Sequence, residues 1–326
     1  MKAVVYTKYG APDVLQIQEV EKPKPKDDEV LIKVHAVEAT KADCEFRSFN
    51  FSVKWFWLPL RVAMGFKRPK KQILGTYFAG EIESVGADVS NFRKGDQVFG
   101  AAKFRMGAYG EYLCLPANYT IVPKPHNMTF EEAAAVPLGG LNALHFMRKA
   151  NIREGEKVLI NGAGGSIGTF AVQIAKAMGA EVTAVDSTIK EDMLCRIGAD
   201  HFFDYSKEDF TKGGQSFDVI FDMVAQNSYS NCVNSLNPKG RYLLGNPRIL
   251  DMLRSVLTSK FTDKTAIFSF AGEKKEELLA LKEMIEAGTI NSTVDKTYPI
   301  ERAAEAHRRV ETEQRLGIVV ISMGLA

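Results

Sequence analysis

Cysteine is scarce. The 326 residues hold four, Cys44, Cys114, Cys195 and Cys232, and they lie far apart. They form neither the close pairs of a zinc site nor a disulfide framework, and are read as reduced thiols of a cytoplasmic protein. Histidine is nearly as sparse, and His35, His126, His145, His201 and His307 are scattered, so structural or surface roles are expected for each. No run supplies the ~18 uncharged apolar residues of a membrane-spanning helix. The opening MKAVVYTKYG enters a strand-like run without the apolar core of a signal peptide. Neither sign of charge is in excess: 42 Lys and Arg stand against 40 Asp and Glu, for a net +2. That balance speaks against a nucleic-acid surface or an acidic partner. The basic runs at residues 22–26 and 67–71 are short and read as solvated loops. Internal repeats and low-complexity tracts are absent too.

What is present is a glycine cluster in an ordered setting. Residues 161–188 read NGAGGSIGTFAVQIAKAMGAEVTAVDST, directly after the apolar Val158-Leu159-Ile160. Ala163, Gly165 and Gly168 fall at A-x-G-x-x-G spacing, which allows a tight turn, a close approach of a pyrophosphate and close helix packing. The whole turn, Ala163, Gly164, Gly165, Ser166, Ile167 and Gly168, is therefore assigned to cofactor binding. Ile167, Phe170, Ala171, Ile174, Ala175 and Met178 repeat on one face of a helix, and Gly179 stops it. Val182–Val185 reads as the next strand, with Asp186 at its end. The interval from Gly165 suits the acid that binds an adenosine ribose about 20 residues after the glycines.

The length allows two domains. The first ~120 residues are rich in strand and turn signals, with strands at Val30–Val37, Phe78–Val85 and Gln97–Phe99. From Phe130 helices enter, at Glu131–Ala135 and Leu141–Lys149. Strands follow at Val158–Ile160, Val182–Val185, Val219–Phe221, Tyr242–Leu244 and Thr265–Phe270. This α/β alternation predicts a doubly wound parallel sheet. A helix at Glu301–Val310 and a strand at Gly317–Ser322 close the chain, and that strand is assigned back to the first domain.

Further stretches carry a family resemblance: GAPDVLQIQEV, ILGTYFAGEIESVGADVSNFRKGDQVFG at 73–100, GAYGEY at 107–112, EEAAAVPLGGLNALHFM at 131–147 and GADHFFDY. With the glycine turn they resemble the medium-chain dehydrogenase/reductase superfamily, in its zinc-free, quinone oxidoreductase-like branch. The resemblance implies a GroES-like catalytic domain built from residues 1–122 and 290–326, around a Rossmann domain at 123–289. It places the active site in the cleft between them. It also implies a homodimer, joined through the last strand of the Rossmann sheet, for which Thr265–Phe270 is the candidate.

Zinc members of the family hold their catalytic metal with two cysteines, a histidine and a nearby glutamate. Here Thr40, Thr76-Tyr77 and Leu138 fall at those positions, and only Cys114 lies in the region of the structural zinc. No zinc is expected. Cys44, without partners, is read as a small pocket or core residue. In the N-x-x-D-x-x-x-R pattern of zinc-free members, Thr40 replaces the asparagine while Asp43 and Arg47 match. Thr40 is a candidate hydrogen-bond partner for a substrate oxygen. Asp43 and Arg47 are read as an ion pair bracing the loop. Tyr77 either donates a proton or hydrogen bond, or fills space. Asn142 either binds the nicotinamide carboxamide or makes a local helix bond. The apolar segment 51–66, with both tryptophans, is either a lid over the nicotinamide or a helix of the catalytic domain.

A nicotinamide cofactor delivers hydride without a metal, and a conjugated acceptor spreads the resulting charge. The leading expectation is NAD(P)H-dependent reduction of a quinone, enone or similar apolar conjugated carbonyl. The alternatives are alcohol or aldehyde oxidoreduction, or a nucleotide-binding protein without turnover. Ser187, Thr188, Lys190 and Tyr205 join Asp186 at the adenosine end. An unpaired Asp186 carboxylate should outweigh a flexible, solvated Lys190, so the lean is slightly toward NADH.

Overall fold

The strand signals of the first third of the chain become β1 (Lys2–Val5), β2 (Gln16–Glu19), β3 (Glu29–Ala39), β4 (Tyr77–Val85), β5 (Gln97–Ala101), β6 (Tyr112–Pro116) and β7 (Thr120–Pro123). Two helices, α1 (Lys41–Ser48) and α2 (Trp57–Met64), lie between β3 and β4. The computed structural model describes residues 1–51, 57–224 and 227–324. β3 is long because eleven residues from Glu29 to Ala39 contain no breaker and are nearly all buried. It pairs antiparallel with β4 and β6.

The middle of the chain runs α3 (Phe130–Ala134), α4 (Pro137–Ala150), β8 (Lys157–Asn161), α5 (Ser166–Ala177), β9 (Glu181–Asp186), α6 (Glu191–Arg196), β10 (His201–Asp204), β11 (Phe217–Asp222), α7 (Tyr229–Asn234), β12 (Leu236–Leu244), α8 (Ile249–Phe261), β13 (Thr265–Phe268) and α9 (Lys275–Glu286). Its six strands form one sheet in the order β10-β9-β8-β11-β12-β13, and every pairing in it is parallel. The order reverses between β8 and β11, which is where open parallel sheets bind ligands. Both faces are covered, as such sheets require. Val158, Ile160, Val182 and Ala184 enter one buried cluster, while Leu159, Val185 and Ile220 enter another on the opposite face. Phe170 and Ile174 of α5 are fully buried in the first, a burial that contributes roughly 1.5–3 kcal/mol per side chain.

The chain then returns. β14 (Val294–Pro299), α10 (Ala303–Glu311) and β15 (Ile318–Ser322) follow, and β15 pairs antiparallel with β3. The seven-stranded sheet, β14-β15-β3-β4-β5-β7 with β6 paired to β3, thus draws on both chain ends.

Some expectations shift. β12 begins at Leu236, well before Tyr242, because its pairing with β11 runs through a register break that absorbs Asn237 to Gly240, with Lys239 at φ +62°. The strand expected over Thr265–Phe270 ends at Phe268. Of the segment 51–66, residues 52–56 lie outside the described residues. α2 packs through buried Met64, the Tyr9 hydroxyl donates to the carbonyls of Met64 and Gly65, and Arg61 lies over the Tyr9 and Phe49 rings. Its outer face leaves Leu58 and Val62 exposed.

Candidate active site

The turn after β8 is built for close approach. Gly162 has φ +85°, a conformation that disfavours a side chain. A Cβ on Gly168 would lie 2.4 Å from the carbonyl oxygens of both Ala163 and Gly162, so helix and turn touch backbone to backbone. Gly165 is the N-cap of α5 and offers no side-chain cap, which leaves the first N–H groups of the helix for an anion. A Cβ there would meet nothing closer than Gly162 O at 3.7 Å and Arg315 Nη2 at 4.0 Å. Arg315 itself is buried, and its Nε has no partner. A glycine without close contacts, free helix N–H groups and a guanidinium beside them fit a dinucleotide diphosphate. A hollow of about 920 Å³ lined by Lys157, Glu181, His201 and Phe217 opens at the amino ends of the parallel strands, the wrong end for such a ligand.

The adenosine end corrects the expectation of an unpaired carboxylate beside a flexible lysine. Asp186 and Lys190 are 6 % and 5 % exposed, and Lys190 Nζ lies 2.8 Å from Asp186 Oδ1. The carboxylate also accepts from the Gly164 and Ser187 N–H groups, each at 2.8 Å. Lys190 is held because a 3₁₀ turn, Thr188–Lys190, folds it back over Gly164. Thr188 donates to Asp204, and Tyr205 is exposed nearby, its N–H on the Asp186 carbonyl.

Across the cleft, Thr40 caps α1. Its hydroxyl donates to Asp43 Oδ2 at 2.6 Å and accepts from the Asp43 N–H at 2.9 Å, so its one proton is committed. Asp43 also accepts from the Gly75 N–H, and burial raises its carboxyl above the ordinary range. The expected Asp43–Arg47 pair is not formed. Arg47 points away to Glu311 on α10, to the Gly10 carbonyl and to His307. His307, fully buried beside Arg47, is held down to about 3 and is neutral; Tyr109 hydroxyl lies 2.9 Å from its Nε2 and Cys44 Sγ 3.4 Å from its Nδ1. Tyr77, at the start of β4, faces the Glu273 carboxylate, and burial lifts both groups. Asn142 Nδ2 donates to Leu138 O one turn back, the local bond rather than a free amide.

Two residues were not singled out from the sequence. One is Arg315. The other is Glu38, whose Oε1 accepts from Ser166 Oγ at 2.7 Å across the junction of the two sheets. A signal existed for Glu38: it stands two residues after Ala36, which is buried in the cluster of the parallel sheet, where alternation expects an apolar residue. Among the described residues, no three His, Cys, Asp or Glu side chains converge to hold a metal ion, and no helix is long and apolar enough to cross a membrane.

Comparison with known proteins follows the same lines. The alcohol dehydrogenase GroES-like domain family matches residues 26–126, and the zinc-binding dehydrogenase family matches residues 197–321. The quinone oxidoreductase of Sus scrofa is 32% identical over 323 residues, covering 95% of this chain and 94% of its own. The 2-methylene-furan-3-one reductase of Solanum lycopersicum is 30% identical over 334 residues, covering 98% of this chain and 79% of its own. The solved quinone oxidoreductase from Coxiella burnetii superposes with a TM-score of 0.87 at 26% identity, covering 99% of each chain.

Proposed function

Because the chain belongs to the medium-chain dehydrogenase/reductase superfamily of oxidoreductases, we propose that it transfers hydride from NAD(P)H to a quinone, enone or similar conjugated carbonyl, without a metal. The domain limits at 122/123 and 289/290 are part of the same proposal. The observation that carries it is the contact of the glycine turn with β3, where Ser166 meets Glu38; beside it stand Thr40, Thr76 and Leu138 at the positions where the resemblance puts metal ligands.

A bound nicotinamide supplies the hydride. The chain's part is to place it. The free N–H groups at the start of α5 and the Arg315 guanidinium hold the diphosphate. Asp186, paired with Lys190, accepts from the ribose hydroxyls, and because Lys190 offsets its charge the preference for NADH is slight. Asn142 has a carbonyl oxygen and a second N–H left for the carboxamide. Tyr77 is available to donate to a substrate oxygen, and the product takes its proton from solvent. The committed proton of Thr40 favours one second reading, a nucleotide-binding protein without turnover. NAD(P)H consumption with a quinone and enone panel, in chelator and alongside metal analysis, separates these. Turnover of a conjugated acceptor by metal-free protein is expected. Cofactor binding with no turnover supports the second reading, and stoichiometric zinc with chelator-sensitive alcohol oxidation overturns both.

We also propose a homodimer. β13 is the last strand of the parallel sheet, an edge that invites pairing. α8, packed beside it, exposes Leu250, Leu253, Val256, Leu257 and Phe261 on one stripe. Light scattering at micromolar concentration is expected to give twice the chain mass, and Leu253→Glu to lower it. A wild-type monomer removes the proposal.

A further inference from the structure

The near balance of charge over the whole chain hides one local excess. Residues 46–80 contain seven Lys and Arg and no Asp or Glu. Four of the seven, Lys67, Arg68, Lys70 and Lys71, are exposed and follow α2 directly. The turn that carries them is packed onto the end of that helix. Lys70 Nζ donates to the Val62 carbonyl at 3.0 Å, the Lys70 N–H donates to the Met64 carbonyl at 2.8 Å, and Pro69 is buried between the cations. Among the described residues, Lys67, Arg68 and Lys71 form no ion pair.

The helix itself is held by one side. Met64 is buried, and Arg61 turns inward, its Cζ 4.1 Å from the Phe49 ring centroid and 4.4 Å from that of Tyr9. The other side leaves Leu58 and Val62 exposed to 59 % and 55 %, and Phe66, just past the helix, to 57 %. Leu58 and Val62 are four residues apart and share one face. An apolar face beside unpaired cations matches an anionic lipid surface: apolar side chains enter at the headgroup boundary while Lys and Arg meet the phosphates. Nucleic acid would offer the charge without the apolar layer.

We propose that α2 and residues 66–71 form a docking surface for an anionic phospholipid bilayer, with Leu58, Val62 and Phe66 inserted at the headgroup boundary and Lys67, Arg68, Lys70 and Lys71 on the lipid phosphates.

The contact is peripheral, because α2 has eight residues and is far too short to cross a bilayer. It requires no dinucleotide and so stands apart from the reaction proposed above.

The test uses the full chain with vesicles of phosphatidylcholine, alone or mixed equally with phosphatidylglycerol. Both tryptophans of the chain, Trp55 and Trp57, belong to this segment, so their emission reports on it alone. Wild type is expected to sediment with the mixed vesicles and to shift its emission to the blue, and to do neither with phosphatidylcholine alone. Raising salt from about 0.1 M to about 1 M should weaken binding at least about tenfold. Each cation near such a surface strengthens binding about fivefold, so Lys67→Ser/Arg68→Ser/Lys71→Ser should lose about a hundredfold. Leu58→Ser/Val62→Ser keeps every charge and should lose about tenfold or more, with the blue shift. Both variants alter only exposed side chains and should melt as wild type does. Wild type that stays off the mixed vesicles overturns the proposal, and binding to duplex DNA in its place would assign the cations to nucleic acid. Vesicle binding without a blue shift, or undiminished in either variant, overturns it as well. A mass halved by Leu58→Ser/Val62→Ser in light scattering would show that a second copy covers this face, and the proposal falls.

Discussion

Replacing Asp186 with serine is expected to move cofactor preference toward NADPH by one to two orders of magnitude. The carboxylate holds Lys190 Nζ at 2.8 Å in a site where both are buried. Taking away one partner of a buried pair leaves the other uncompensated, at a cost on the order of 3 kcal/mol in stability. A 2′-phosphate brings the missing charge. A hydrogen bond to a charged group contributes about 1.5–3 kcal/mol, which sets the size of the shift. Asp186→Ser should therefore melt earlier without cofactor and regain most of that loss with NADPH, but not with NADH. Adding Lys190→Met should cancel the gain for NADPH. The measurement is Kd for both cofactors on the three proteins. A wild type that already binds NADPH ten times more tightly, or a serine variant with unchanged preference, would show that Asp186 does not face the ribose.

The glycine turn should respond in two distinct ways. Gly168→Ala puts a methyl group 2.4 Å from two backbone carbonyl oxygens, neither of which can rotate away. Helix and turn must separate, with a loss on the order of 3 kcal/mol, and cofactor binding should vanish with the geometry of the N–H groups. Gly165→Ala differs. Its φ of −90° suits any residue, and its methyl group meets no atom closer than 3.7 Å. Stability should change by less than ~0.5 kcal/mol. The methyl group nevertheless occupies the space a diphosphate enters, so cofactor affinity should fall by at least about tenfold, the cost of one misplaced contact. Thermal melts and fluorescence titrations of both variants check this. Equal melting losses, or undiminished binding by Gly165→Ala, would place the diphosphate elsewhere.

Much of the fold was legible in the residues themselves. The apolar triplet at Val158, the glycine spacing and the 3.6-residue repeat of Phe170, Ala171, Ile174 and Ala175 gave β8, the turn and α5, because period and steric permission act over a few residues. The chain order β8, α5, β9 likewise led to a parallel sheet. Where a bulge absorbed turn-like residues, as at Asn237–Gly240, local signals misled and β12 was read short.

The charge states and partners of the site were decided only in three dimensions. Thr40, Asp43 and Asp186 were visible as residue types, but nothing local states that Asp43 turns to Gly75, that Arg47 reaches Glu311, or that Glu38 meets Ser166 across 128 positions of sequence. Even Asp186 and Lys190, four residues apart, sit outside a helix, so their pairing depends on how the 3₁₀ turn packs over Gly164. Periodicity fixes which face a side chain takes. Which charge it meets there, and how much water is left to screen it, depends on elements distant in the chain that only packing brings together.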